Sequence, residues 1–152
     1  MAVDMNPWTI IPRGDENERT AFEENWAVIK TSTFEGAKTH LRASAEALNA
    51  GDAAGAVREA ITAVEGAAQL VSGKSKATLG VALGMLEKEK GLNPVLAGAF
   101  SKLYGYTSSE KGIRHALMDG DQAKVSQDEA LFMFSACTAF VGYLVRKYPE
   151  KA

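Results

Sequence analysis

Hydrophobic residues recur along most of this chain at the three- and four-residue spacing of one helix face. The first such stripe is Phe22, Trp26 and Ile29, at positions i, i+4 and i+7. Further stripes begin at Phe34, Val57, Leu79 and Val95, and a nearly continuous apolar run covers 130–145. No segment alternates apolar and polar residues with enrichment in β-branched side chains, so we expect helices and find no convincing strand.

Polar breaks between the stripes carry residues that start and stop helices. Ser32 or Thr33 is expected to cap the second helix, and Asp52 the third. The remaining start signals are Thr78, Asn93-Pro94, and Ser126 with Glu129 at the spacing of a capping box. Because the breaks are short, neighbouring helices are expected to be antiparallel, as in a bundle.

The first fifteen residues differ from the rest of the chain. Pro7 and Pro12 exclude a helix there, and Trp8 between them is a candidate for docking on the body or on a second subunit. The sequence therefore predicts an extended arm over 1–15 and a helical domain over 16–148. The expected fold is all-α, an up-and-down bundle of five to six helices with an extended N-terminal arm.

Charge and composition narrow the function classes. The chain has 152 residues, a net charge of -2 and one cysteine. A protein that coats nucleic acid is usually basic, so general packaging of DNA is not the expected function. The N-terminus lacks the basic and apolar regions of a secretory signal. The apolar run over 130–145 is shorter than the roughly 20 residues that span a bilayer. We therefore expect a cytoplasmic protein without a membrane association.

Several apparent chemical motifs do not hold. Gly73-Lys74-Ser75 ends like a phosphate-binding loop, but Ala68 stands where the first glycine belongs. One cysteine and two distant histidines cannot supply a familiar zinc spacing, so we expect no metal and no cofactor. Cys137 lies among apolar residues, which favours a buried, inert thiol. His40 is expected on the exposed polar side of the second helix.

The third helix contains a carboxylate near its apolar stripe. Glu65 lies between Ile61 and Ala68, and Arg58 lies two turns earlier on the same side. A carboxylate near a core requires a partner, and Arg58 is too far along the helix to pair directly. Arg114 and His115, in the polar segment 104–121, are the obvious candidates. One interpretation is a structural network that fixes how this segment packs.

The same residues support a functional interpretation. His115 is suited to exchange a proton near neutral pH, and Arg114 to hold a phosphate. Tyr104 and Tyr106 offer hydroxyl groups or a stacking face for binding. The candidate catalytic residues are therefore His115 and Arg114, with Arg58 and Glu65 completing the polar network. A pairing of Cys137 with a histidine for nucleophilic catalysis is not excluded by counting alone.

Three phrases resemble a known family. AVREAITAVEGAAQLV, FSKLYGYTSSEKGIRHAL and DEALFMFSACTAFVGYLV are similar to the C-terminal domain of AbiJ-type abortive-infection proteins and related bacterial proteins, a branch of the HEPN helical domains. The resemblance covers roughly residues 30–148. It implies a four- to six-helix bundle that often dimerises. Many HEPN proteins are metal-independent ribonucleases of phage-defence systems, in which an arginine and a histidine act at a cleft shared by two subunits.

The chain departs from the HEPN nuclease pattern at its central motif. That pattern separates arginine and histidine by four to six residues, whereas Arg114 and His115 are adjacent and point about 100° apart on a helix. The resemblance thus leaves two hypotheses. The first is a non-catalytic dimerising interaction or sensor module of an abortive-infection system. The second is a metal-independent ribonuclease using His115 and Arg114. The expected partner is a second copy through the last helix, with RNA, a nucleotide or another protein as candidate ligands.

Overall fold

The computed structural model describes residues 3–6, 9–12, 16–109 and 124–151. Its helices are α1 (Glu16–Lys30), α2 (Glu35–Asn49), α3 (Ala53–Ser72), α4 (Leu79–Lys90), α5 (Pro94–Ser109) and α6 (Gln127–Lys147). A 3-10 turn over Pro149–Lys151 follows α6. The predicted all-α bundle of five to six helices is confirmed, with six helices, and each helix covers one of the stripes seen in the sequence.

The N-terminal segment contains a small hairpin. Strands β1 (Val3–Asn6) and β2 (Thr9–Pro12) pair antiparallel, with Val3 opposite Pro12 and Asn6 opposite Thr9. Strand β2 lies against α1, and β1 lies against α2. Main-chain pairing thus organises a segment that the sequence presents only as extended. Trp8, the predicted docking residue, lies outside the described residues.

Helix α3 is the centre of the bundle and packs against α2, α4, α5 and α6. Its core face consists mainly of alanine. Four larger side chains complete this face, and each is at most 2% exposed: Val57, Ile61, Val64 and Val71. Small side chains allow neighbouring helices to approach closely. The Ser44 hydroxyl of α2 donates to the Ala56 carbonyl at 2.6 Å, so even the polar contact here requires close approach.

Most of the predicted helix ends are confirmed. The Asp52 carboxylate accepts from the Gly55 amide at 2.9 Å at the start of α3. Ser126 and Glu129 form the reciprocal capping box of α6. Gly91, after α4, has φ of 69°, the left-handed conformation that glycine adopts without a steric penalty. These short-range signals therefore determine where the helices begin and end.

The predicted cap of α2 by Ser32 or Thr33 is wrong. Phe34 is the N-cap residue and contributes no side-chain hydrogen bond. The Ser32 hydroxyl instead donates to the Ile29 carbonyl at 2.7 Å and accepts from the Phe34 amide at 3.2 Å. The reason is tertiary: the Phe34 ring is 1% exposed, and its burial sets the position at which α2 begins.

Helix α6 is long and apolar enough, by length and composition, to cross a membrane. In the bundle it packs against α3 and α1, and 56% of its most apolar window is buried. The Phe140 ring stacks on Phe100 of α5 with centroids 3.7 Å apart. This packing supports its interpretation as a core helix. One face remains uncovered, and Phe132 on it is 60% exposed.

Candidate functional site

Glu65 lies at the junction of α3 and α4. Its side chain is half-buried, and its Oε2 accepts a hydrogen bond of 3.2 Å from the Leu79 amide. Leu79 is the first residue of α4, so the carboxylate lies at a helix N-terminus, where the macrodipole favours negative charge. The expected partner of this carboxylate is thus supplied, at least in part, by the backbone.

The other predicted side chains are distributed over two helices. Arg58 is half-buried on α3, and it is separated from Glu65 by about 10.5 Å of helix rise. Tyr104 and Tyr106 are half-buried on α5. The Tyr104 carbonyl accepts the hydroxyl proton of the buried Thr107 at 2.7 Å, which is a contact within the helix.

Arg114 and His115 lie outside the described residues. The network that would join them to Glu65 and Arg58 therefore remains a prediction, as does the catalytic pair. The geometry of Glu65 nevertheless gives that prediction a specific test, since a carboxylate held by an amide and one held by a cation respond differently to neutralisation.

Sequence reasoning missed a polar link between α2 and α3. Nδ1 of His40 lies 2.6 Å from Oε2 of Glu59, and both side chains are partly buried. His40 was expected to be a surface histidine, and the structure places it on the edge of the helix interface. A contact between residues 19 positions apart depends on how the two helices pack, which no local sequence signal reveals.

Lys38 is a second polar residue whose role was not predicted. Its side chain is 9% exposed, and Nζ lies 2.5 Å from Glu35 Oε1 and 2.7 Å from the Ser32 carbonyl. A weaker contact of 3.4 Å reaches the carbonyl of Lys30, the last residue of α1. The ammonium group therefore satisfies carbonyls at a helix C-terminus, where a cation is favourable.

A shallow cleft of about 550 Å³ lies between the start of α2 and the C-terminal half of α3. Its floor is made of small residues, including Gly36, Ala37, Gly66 and Ala67. Lys151 lies at its edge and accepts, through its carbonyl, the hydroxyl proton of Thr33. The described polar groups around the cleft are engaged within the chain or exposed, and they form no catalytic constellation.

Metal and thiol chemistry have little support in the part of the chain that the structure describes. Across residues 16–109 and 124–151, no group of three histidine, cysteine, aspartate or glutamate side chains is placed to hold a metal ion. Cys137 is fully buried, and burial raises the pKa of its thiol to about 12. The thiolate that nucleophilic catalysis needs is therefore strongly disfavoured.

The outward face of α6 is the described surface best suited to binding. Phe132, Ser135 and Ala139 are exposed, and Ala136 and Tyr143 beside them are half-buried. Together they form a largely apolar strip along one helix, with charged residues at both ends. An exposed apolar strip of this kind marks an interaction surface more often than a catalytic one.

Comparison of the chain with protein-family profiles, with curated protein sequences and with solved structures gives no significant match.

Proposed function

We propose that this chain is a HEPN-like helical module that acts by self-association, without catalysis of its own, in a defence system of the abortive-infection type. The observation that carries the proposal is the exposed strip on α6, centred on Phe132, which is 60% exposed. A second copy that covered this strip would bury the exposed 60% of the Phe132 side chain and gain about 1–2 kcal/mol.

Two features support a module over an enzyme. Glu65, the carboxylate of the predicted polar network, is engaged at the start of α4 by the Leu79 amide. Arg114 and His115 are adjacent in sequence, unlike the spaced pair of the HEPN nucleases. The defence context and the HEPN assignment rest on the resemblance of the sequence. Cytoplasmic location is part of the proposal, and the free, buried thiol of Cys137 fits a reducing compartment.

The proposal is tested by measuring the molar mass of the purified chain in solution. The wild-type chain is expected to be a dimer at micromolar concentration, and Phe132→Glu is expected to be a monomer, because the charge cannot be desolvated in the interface. Val95→Glu is the matched control, because Val95 is 78% exposed and belongs to α5 and not to α6. A dimer that tolerates Phe132→Glu would contradict the proposed surface.

A parallel assay distinguishes the module from the ribonuclease. The purified chain and a folded His115→Ala variant are incubated with mixed RNA without metal. We expect no cleavage by either protein. Cleavage by the wild type that the substitution abolishes would establish the alternative, a metal-independent ribonuclease using His115 and Arg114.

A further inference from the structure

Exposed residues of α6 fall on a heptad spacing, called here the seam. Positions 128, 132, 135, 139, 142 and 146 are separated alternately by four and three residues, the repeat with which helices pack along one another. Asp128, Phe132, Ser135, Ala139 and Arg146 are exposed along this seam. Gly142 has the same spacing but is buried against Asn25 of α1, so the surface at that level of the seam is the Asn25 side chain.

The seam is self-complementary about its midpoint. The seam positions form three pairs that are equally distant from position 137. Positions 128 and 146 are each nine residues away, positions 132 and 142 are each five residues away, and positions 135 and 139 are each two residues away. We propose that a second copy packs antiparallel on this seam, with the two α6 helices crossing at the level of Cys137. This inference rests on the self-association proposed above and specifies its geometry.

Charge favours the antiparallel arrangement over the parallel one. In the antiparallel dimer Asp128 meets the partner's Arg146, and the two-fold axis generates a second such pair. A parallel arrangement would place Asp128 against the partner's Asp128 and Arg146 against the partner's Arg146, which is repulsive at both ends. The charges therefore select orientation and register together.

Side-chain size follows the same symmetry. Phe132 is the one large aromatic residue among the exposed seam positions, and in this register it lies opposite the partner's Asn25, whose short side chain covers Gly142. Ser135 lies opposite the partner's Ala139, so the centre of the seam is small on both sides. Small residues allow two helices to approach to about 8 Å, and a large ring then fills the space at each end.

Charge reversal tests this register directly. Asp128→Arg places two positive charges on the seam, and Arg146→Asp places two negative charges there. Each variant alone is expected to self-associate at least about tenfold more weakly than the wild type. An equimolar mixture of the two is expected to form a heterodimer. In it the introduced arginine meets the introduced aspartate at one end, and the native Arg146 meets the partner's Asp128 at the other. Sedimentation equilibrium measures the dissociation constant of each variant alone and of the equimolar mixture.

The mixture separates an interface effect from a folding effect. Asp128 lies in the first turn of α6, and Arg146 donates to Asn25 Oδ1 at 2.6 Å, so either substitution changes stability slightly. Thermal unfolding of each variant is measured first, and a misfolded chain cannot regain affinity on mixing. The chain that carries both substitutions is expected to associate as the wild type does.

The outcomes discriminate between the two proposals. A wild-type chain that stays monomeric at about 100 µM overturns both the self-association and the register. A wild-type dimer that neither reversal weakens overturns the register alone. Reversals that weaken the dimer without recovery on mixing also overturn the register, because they show that Asp128 and Arg146 do not meet.

Discussion

Nη2 of Arg146 donates a hydrogen bond of 2.6 Å to Oδ1 of Asn25 and so joins α6 to α1. The contact spans 121 positions in sequence and lies directly over Gly142. A Cβ atom on Gly142 would lie 2.6 Å from Asn25 Oδ1 and 3.2 Å from Asn25 Cβ. The absence of a side chain at 142 is therefore a condition for the two helices to lie this close.

Substitution of Gly142 by alanine is expected to destabilise the chain by about 1–3 kcal/mol, because α1 must move or Asn25 must give up its hydrogen bond. Urea denaturation measures the free energy of unfolding. The helical propensity of alanine opposes this loss by up to about 1 kcal/mol, so the steric effect must exceed that value to be seen.

Gly66→Ala is the matched control. In the described part of the chain no heavy atom from outside the local helix backbone lies within 4 Å of a Cβ built on Gly66. The same substitution is expected to be neutral or to stabilise α3 by up to about 1 kcal/mol. If both variants change the free energy of unfolding by the same amount, a side chain at position 142 does not prevent α1 and α6 from packing at their observed distance.

The loss of stability on neutralising Glu65 shows whether its carboxylate is held mainly by a backbone amide or by a cation. Glu65→Gln keeps an oxygen that accepts from the Leu79 amide, so we expect a loss below about 1 kcal/mol. Glu65→Ala removes the acceptor and is expected to cost about 1–2 kcal/mol. Chemical denaturation of both variants in the same buffer provides the comparison.

The opposite result would favour the predicted network. If Arg114 or His115 pairs with Glu65, neutralisation leaves a cation without its partner, and Glu65→Gln should cost about 3–5 kcal/mol. A loss of that size in the glutamine variant would show that backbone capping is the smaller part of the role of Glu65.

Lys38→Met is expected to destabilise the chain by about 1–3 kcal/mol. Methionine preserves the apolar stem, but the Ser32 carbonyl loses its 2.7 Å donor in a buried site. Lys74→Met, at an exposed position, controls for the loss of a positive charge and should stay within about 0.5 kcal/mol of the wild type. Equal effects of the two substitutions on the thermal midpoint would argue against a specific role for Lys38.

The burial of Cys137 predicts that the free energy of unfolding falls at alkaline pH. Burial raises the pKa of its thiol from 9.0 to about 12 in the folded chain. Below pH 9.0 the thiol is protonated in both states and contributes no pH dependence. Between these values the unfolded chain loses its proton and the folded chain does not, so stability falls by up to about 1.4 kcal/mol per pH unit.

The control for this prediction is Cys137→Ala, which removes the titrating group. The difference in unfolding free energy between wild type and variant is expected to shrink as the pH rises above 9.0. The wild-type thiol should also resist alkylation until the chain unfolds. A pH-independent difference, or rapid alkylation of the native chain, would contradict the burial of Cys137.

The parts of this fold that were predictable depend on residues close together in sequence. Asp52 and Gly55, or Ser126 and Glu129, are three positions apart, so their hydrogen bonds form whenever the local backbone turns into a helix. The stripes of apolar residues carry the same kind of short-range information. Six helices and most of their ends could therefore be predicted from the residues alone.

The contacts that the sequence does not reveal are those made by packing. His40 and Glu59 meet because α2 and α3 lie at one particular register, and Glu65 reaches Leu79 because α4 begins beside α3. The expected capping role of Ser32 is overridden by the burial of a neighbouring aromatic ring. The contacts of side chains at the candidate site also depend on packing. For that reason the residue types alone suggested several partners for Glu65.

Helix α5 is attached to the bundle more weakly than α3 is. Ala97 and Thr107 are its buried residues over 94–107, whereas α3 is buried along most of its length. Amide hydrogens of α5 should therefore exchange with solvent through local opening, at rates that low concentrations of denaturant barely change. Those of α3 should exchange only through global unfolding, and the native ensemble should include a minor species with α5 detached and Phe140 uncovered.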